Sequence, residues 1–143
     1  MSSQPTATAA RTPLWPPPLL SQRPLAVQVL LVGILPVAFG ALCGYQLGTS
    51  AAWFQILMLL AGIGGIGGGF EHAGPRQGLL RGLAGGALFI SSLVITFKAR
   101  GAPALAPLPG GLPITAIVYA AMGMPLGALG GWLRRRSMAR AAA

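Results

Sequence analysis

The stretch AGIGGIGGGFEHAGPRQGLLRGLAGG, residues Ala61–Gly86, joins two long apolar runs through a short charged turn. It contains the chain's only acidic residue, Glu71, and its only histidine, His72. A helix rises about 1.5 Å per residue and the hydrocarbon core of a bilayer is about 30 Å thick, so apolar runs of about 20 residues predict membrane-spanning helices. We therefore interpret the stretch as parts of two such helices and the turn that connects them.

The composition of the whole chain agrees with a membrane protein. Its 143 residues form one domain at most, with 54% hydrophobic and only 8% charged residues, whereas about a quarter of a soluble domain is charged. The sequence has no Gly-X-Y period, and the single cysteine, Cys43, has no internal disulfide partner, which excludes a fibrous protein and a disulfide scaffold. The formal charge of +9 does not indicate nucleic-acid binding, because no basic stretch is interleaved with aromatic residues.

Working outward from the turn, the apolar runs predict an all-α integral membrane protein with four transmembrane helices. The predicted spans are 24–48, 51–70, 78–97 and 113–133, which together form a domain over residues 24–133. Residues 1–23 are rich in Pro, Ser, Thr and Ala and predict a disordered cytoplasmic tail; the alternative of a targeting peptide lacks an amphipathic Arg-rich helix. Residues 134–143 predict a basic cytoplasmic tail, and the Pro- and Gly-rich segment 98–112 predicts a non-helical connection.

The distribution of cations predicts the orientation of the chain. With four spans, eight of the ten Lys and Arg residues fall on one side: Arg11, Arg23, Arg76, Arg81, Arg134, Arg135, Arg136 and Arg140. Only Lys98 and Arg100 fall on the other side. The positive-inside rule then predicts both termini in the cytoplasm and a multi-pass protein of the plasma (inner) membrane. We expect the basic side to contact anionic lipid headgroups.

Each predicted span carries small residues spaced by four, which places them on one face of a helix. They are Gly40, Gly44 and Gly48; Ala61, Gly65 and Gly69; Gly78, Gly82 and Gly86; and Gly123, Gly127 and Gly131. Small residues allow helix backbones to approach closely in lipid, so we predict glycine-rich helix packing, although 22 glycines produce some such triplets by chance. A short turn joins the second and third spans, so we expect antiparallel neighbours with their stripes at similar depth; if the stripes face each other, the helix axes can approach closely. Whether stripes meet within one chain or between copies stays open.

Prolines interrupt two of the predicted spans. Pro36 lies at the centre of the first span and Pro125 just past the centre of the fourth. Each removes one backbone hydrogen bond. The resulting kink is either a hinge of the kind found in transporters or a distortion that neighbouring helices tolerate. We favour the second interpretation.

Two glutamines flank the turn between the first two spans. Gln46 lies two residues before the Gly48–Ala51 turn and Gln55 four residues after it, so antiparallel helices place them at a similar depth. An amide in hydrocarbon seeks a partner, and such hydrogen bonds contribute about 0.6 kcal/mol. We predict that the two side chains bond to each other or at least face each other.

Chemistry-bearing residues are scarce, and the weak functional candidates are Glu71, His72 and Arg81. One Glu, one His, one Cys and no Asp cannot assemble a protein-only zinc site within one chain, and Cys43 lies across the membrane from His72. The sequence therefore predicts no enzyme activity, no metal and no cofactor. We expect Glu71 to pair with Arg76 or Arg81 at the surface, and Arg81, one turn inside the third span, to reach out to the interface.

Two classes of function remain open. The first is a non-catalytic membrane component that packs against a second copy of itself or a larger membrane complex, and we favour this class. The second is a small oligomeric channel or transporter, including an anion pathway lined by glycine backbone and Arg81. A channel requires a continuous polar path, so its polar residues would share one axis: Gln28, Gln46, Gln55, Ser91, Ser92 and Thr96. In the first class these residues scatter to turns and interfaces.

Overall fold

The computed structural model describes residues 17–108 and 111–141, which form four long helices. These are α1 (Leu25–Leu47), α2 (Ala51–Phe70), α3 (Pro75–Arg100) and α4 (Gly111–Ala141). All four are long and apolar enough to cross a membrane, judged by length and composition. Within the described residues there is no β-strand. The prediction of an all-helical protein with four apolar, membrane-length helices is confirmed.

Local sequence explains where these helices begin and end. Helix α2 starts after Ser50, whose hydroxyl oxygen accepts a hydrogen bond from the N–H of Trp53 at 3.4 Å. Helix α3 starts at Pro75, where the missing proline N–H removes no intrahelical bond. It ends at Arg100, and the following Gly101, with a φ of 62°, lies in the left-handed region that glycine adopts without a steric penalty.

Helix α4 is longer than the sequence pattern predicted. It continues through Arg134 to Ala141, so residues 134–141, expected in a tail, form its last turns. The reason is that the Arg, Ala and Met residues in this segment favour helix and neither Pro nor Gly interrupts it. Residues 142–143 lie outside the described residues.

The segment before α1 also differs from the predicted disordered tail. A short 3₁₀ helix, Leu20–Gln22, brings the buried side chain of Leu20 against the bundle. The Leu20 N–H donates to the backbone carbonyl of Glu71 at 3.0 Å, which ties the segment to the turn between α2 and α3. The remaining residues of that tail, 1–16, lie outside the described part of the chain.

Helix α1 contains one irregular turn. Residues Leu30–Ile34 are π-helical, and the N–H of Leu35 donates to the carbonyl of Leu30, five residues back. Pro36 follows directly and has no N–H to donate. A π-turn beside a proline accommodates the missing backbone hydrogen bond, because helices distort where a donor is absent. Pro125, by contrast, lies inside α4 without ending it.

The helices pack differently towards the two ends of the bundle. We call one end the Glu71 end; it holds residues 17–24, the turn Glu71–Gly74 and the last turns of α4. The other, the Gly101 end, holds the turn Gly48–Ser50 and the connection after Gly101. Apolar side chains form a core in the half towards the Gly101 end, namely Cys43, Leu47, Phe54, Ile90, Leu93, Phe97 and Ala106. Helix α3 contacts all three other helices.

Candidate functional site

Glycines of α3 and α4 bring two main chains into direct contact. A Cβ atom added to Gly82 would overlap the carbonyl group of Gly123 and lie 3.2 Å from the Cα of Gly127. A Cβ atom added to Gly78 would overlap the carbonyl of Gly127. Additions to Gly123 and Gly127 meet Gly82 and Gly78 in return. We call these four residues the glycine seam; it leaves no room for a side chain on either helix.

Helix α2 joins the seam at Gly127. A Cβ atom on Gly69 would overlap the carbonyl of Gly127, and one on Gly130 would overlap the carbonyl of Ile66 and lie 2.6 Å from the Phe70 nitrogen. The main chains of α2, α3 and α4 therefore converge at one level of the bundle. Sequence reasoning missed Gly130, although its spacing of three from Gly127 also favours one helix face.

The stripes of α2 and α3 do not face each other. The α3 stripe lies against α4, where Gly86 also approaches the carbonyl of Ala120 at 3.0 Å from its Cβ position. In α2, Gly65 faces the side chain of Leu126 at 3.5 Å, and Ala61 is half-buried. The reason is that α4 contacts both helices more extensively than they contact each other. Its small residues accept α3 on one face and α2 on an adjacent one.

The remaining predicted glycines lie on or near α1. Additions to Gly40 and Gly44 would overlap the carbonyls of Phe89 and Leu93, so this half of α1 rests directly on the α3 main chain. An addition to Gly48 would lie 2.9 Å from the Cβ of Ala102. Close to these contacts, the Ser92 hydroxyl donates to a carbonyl of α1. Gly131, the last predicted position, faces Gly74 and Pro75 at the start of α3.

Arg100 closes the Gly101 end of α1. Its Nη1 donates to the carbonyl of Tyr45 at 2.6 Å and to the hydroxyl of Thr49 at 2.7 Å, and its guanidinium lies 3.9 Å from the centre of the Tyr45 ring. Tyr45 is in the last turn of α1, where carbonyls have no intrahelical donor. Arg100 is therefore a side-chain cap on a neighbouring helix.

Arg134 is a side-chain cap on α2 at the Glu71 end. Only 4% of the residue is exposed. Its Nη1 donates to the carbonyl of Phe70 at 3.1 Å, and its Nη2 donates to the carbonyl of Pro17 at 2.7 Å. The guanidinium also lies 5.8 Å from the centre of the Phe70 ring. A residue expected in a solvated tail thus joins the end of α2 to the segment that precedes α1.

Glu71 and His72 make local structural contacts. Glu71 Oε1 forms an ion pair with Nη2 of Arg23 at 2.8 Å, so its partner in the described residues is Arg23 and not the expected Arg76 or Arg81. The His72 Nδ1 atom lies 3.0 Å from the carbonyl oxygen of Gly68, four residues earlier. The Glu71 carboxylate therefore fastens the segment before α1 to the turn, and the His72 imidazole lies against the end of α2.

Arg81 points into the bundle. Its Nη2 donates to the carbonyl of Leu31 at 2.6 Å and lies 3.8 Å from the Cβ position of Gly68. A Cβ atom on Gly85 would overlap its Nη1, so the side chain extends along α3 towards Gly85. It does not turn back towards the helix start at Pro75, as an arginine reaching for the interface would. Its Nε is buried and has no hydrogen-bond partner in the described part of the chain.

The predicted amide pair is not formed. The side chains of Gln46 and Gln55 share no hydrogen bond in the part of the chain that the structure describes, and Gln55 is exposed. Near the same turn, the backbone N–H groups of Thr49 and Ser50 both donate to the main-chain oxygen of Gln46.

No group of three or more His, Cys, Asp or Glu side chains within residues 17–108 and 111–141 comes together to hold a metal ion. Cys43 is buried among apolar side chains of the Gly101-end core, and His72 lies at the Glu71 end. No protein-family model matches the chain, and no significant match exists among curated proteins or solved structures. The geometry of the glycine seam and of the arginines is therefore the basis on which a function is proposed.

Proposed function

We propose that the protein is a non-catalytic, multi-pass membrane component that associates with a second copy of itself or with a larger membrane complex. The observation that carries the non-catalytic part of this proposal is the glycine seam, in which the main chains of α3 and α4 touch without intervening side chains. Backbone contact of this kind fills the space that a substrate or an ion would occupy within one chain. It is typical of helix association in lipid.

The placement of the polar side chains supports the same proposal. Ser92 donates to the carbonyl of Val37 at 2.6 Å, and Gln28 Nε2 donates to the carbonyl of Arg23 at 2.8 Å. Gln55 and Ser91 are exposed on the outside of the bundle. These groups therefore lie at interfaces and on the outer surface, as expected for the non-catalytic class, and not along one internal axis.

The surface chemistry indicates how the bundle sits in its membrane. Large apolar side chains are exposed on all four helices, including Leu25, Leu59, Leu80 and Ile117, as expected for faces in contact with lipid. The Glu71 end carries the exposed cations Arg76, Arg135, Arg136 and Arg140. By the positive-inside rule, we place this end and both termini on the cytoplasmic side of the plasma membrane, next to anionic headgroups.

Purification in mild detergent tests the proposed association. We expect light scattering, corrected for detergent, to give a mass of two or more chains, or mass spectrometry to find one partner in constant ratio. A single chain that stays without a partner, in native membranes cross-linked before extraction as well as in detergent, would contradict the proposal.

An oligomeric channel is the second candidate, because Gln55 and Ser91 expose polar groups from apolar helices. Such groups would line a pore at an oligomer axis. Vesicles containing the purified protein and loaded with potassium chloride distinguish the two functions. Flux above that of empty vesicles, reduced by Gln55→Leu, would favour the channel; flux equal to that of empty vesicles favours the non-catalytic component.

Cysteine labelling tests the orientation. In a Cys43→Ala background, we introduce cysteine at Ala104 in the connection after α3 or at Ala139 near the end of α4, both of which are exposed. An impermeant thiol reagent should label position 104 on intact cells and position 139 only after the cells are opened. Labelling of both positions from outside would overturn the orientation, and labelling of position 139 alone would reverse it.

A further inference from the structure

Helix α1 consists of two halves that differ in burial. The half Leu35–Leu47 buries four residues, namely Gly40, Cys43, Gly44 and Leu47. The half Leu25–Ile34 buries none, and Leu25 is 74% exposed. The π-turn and Pro36 lie where one half meets the other. The first half, which we call the arm, is therefore attached to the bundle by few contacts.

The π-turn leaves one carbonyl of the arm without a donor from its own helix. The Leu35 N–H bonds to the carbonyl of Leu30, so it is not used by Leu31. With the same spacing of five residues, the donor to the Leu31 carbonyl would be residue 36, which is proline and has no N–H. Arg81 supplies the missing hydrogen bond through Nη2, at 2.6 Å.

We propose that the arm is a hinged element, with the hinge at Leu30–Pro36 and with Arg81 as the latch that holds it closed against α3. A hydrogen bond from a charged donor is strong in apolar surroundings, and an unpaired carbonyl there is unfavourable. The latch therefore supplies a donor to the carbonyl that the proline orphans and an acceptor to the guanidinium that α3 carries into the bundle. This inference concerns motion within one chain and does not depend on the proposed function.

The other attachment of the arm is at its start. Arg23 pairs with Glu71, and Gln28 donates to the Arg23 carbonyl, so the beginning of α1 is fastened to the turn between α2 and α3. With the latch open, the part of the arm around Leu31 can move away from α3. That movement would expose the Arg81 guanidinium at the outer surface of the bundle.

Distances between pairs of spin labels test the hinge. In a Cys43→Ala background, labels at Val29 and Leu80 report on the arm, and labels at Leu42 and Ile95 report on the other half of α1; all four positions are exposed. Each pair is measured in the parent, in Arg81→Met and in Ser92→Ala. Ser92→Ala is the matched control, because it also removes a 2.6 Å hydrogen bond from α3 to an α1 carbonyl, on the other side of the hinge.

We expect Arg81→Met to broaden the distance distribution of the 29–80 pair and to leave that of the 42–95 pair unchanged, whereas Ser92→Ala should leave the 29–80 pair unchanged. Arg81→Lys, which keeps a charged donor, should restore a narrow distribution at least in part. An unchanged 29–80 pair in Arg81→Met would overturn the latch. Equal broadening of both pairs would overturn the hinge, because it would show a general loosening of the bundle.

The proline provides an independent test of the same coupling. With Pro36→Ala, residue 36 regains an N–H, and α1 can satisfy its own carbonyls. In that background Arg81→Met should broaden the 29–80 distribution much less than it does with Pro36 present. If the broadening is the same in both backgrounds, Arg81 does not act through the carbonyl that the proline orphans, and the proposal fails.

Discussion

Gly82→Ala is expected to lower the thermal stability of the protein in detergent, because the added methyl group meets main chain and not a movable side chain. Its Cβ would overlap the carbonyl of Gly123 and lie 3.2 Å from the Cα of Gly127. Neither atom can move unless the whole of α4 shifts. Overpacking of this kind costs about 1–3 kcal/mol, and Gly82→Leu should be at least as destabilising.

The chain offers a matched control for this substitution. Gly67 of α2 is also a glycine within a helix, but it is exposed and nothing lies within 4 Å of its Cβ position. Gly67→Ala should leave the melting temperature unchanged or raise it, because alanine favours helix over glycine by about 1 kcal/mol. Equal melting of Gly82→Ala and the parent protein would show that the helices separate at the seam at little cost, and the proposed role of the glycine seam would then be wrong.

The four helices could be predicted from the sequence because each apolar run is long enough to cross the hydrocarbon core of a bilayer. The second span, 51–70, coincides with α2. The ends of α3 and α4 were predicted too early, because residues 98–112 were assigned to a Pro- and Gly-rich connection and residues 134–143 to a basic tail. Lys and Arg favour helix, so both helices continue through these residues, and Arg100 and Arg134 bind carbonyls of neighbouring helices.

The partners of each helix face could not be predicted in the same way. A spacing of four identifies which residues share a face but not which helix that face meets. The short turn at Glu71 does make α2 and α3 neighbours. Gly82 nevertheless contacts α4, which is joined to α3 by a longer connection. Steric fit decides which helix each face meets, because Gly127 and Gly130 let the backbones of α3 and α2 both approach α4.

The contacts of the functional candidates depend on even longer separations along the chain. Arg81 bonds to Leu31, fifty residues away, and Glu71 pairs with Arg23 from a segment that the sequence assigned to a disordered tail. The proline at position 36 did indicate that α1 is irregular. What the sequence did not reveal is that α3 carries the donor that compensates for it.

Arg134→Met should destabilise the protein in detergent and loosen the segment before α1. Methionine fills much of the same apolar volume but removes the hydrogen bonds to the carbonyls of Phe70 and Pro17. Hydrogen bonds that involve a charged group contribute about 1.5–3 kcal/mol, and Arg134 is almost fully buried, so solvent screens them little. The loss should appear as a lower melting temperature and as faster hydrogen exchange of the Leu20 amide, which bonds to the Glu71 carbonyl.

Arg135→Met is the control, because Arg135 is the next residue on the same helix and is exposed. It removes the same charge from the same end of the bundle, so any general effect of lower net charge appears in both variants. We expect its melting temperature and its Leu20 exchange to match those of the parent. If Arg134→Met and Arg135→Met lose stability equally, the effect comes from charge alone, and Arg134 does not fasten α2 to the segment that precedes α1.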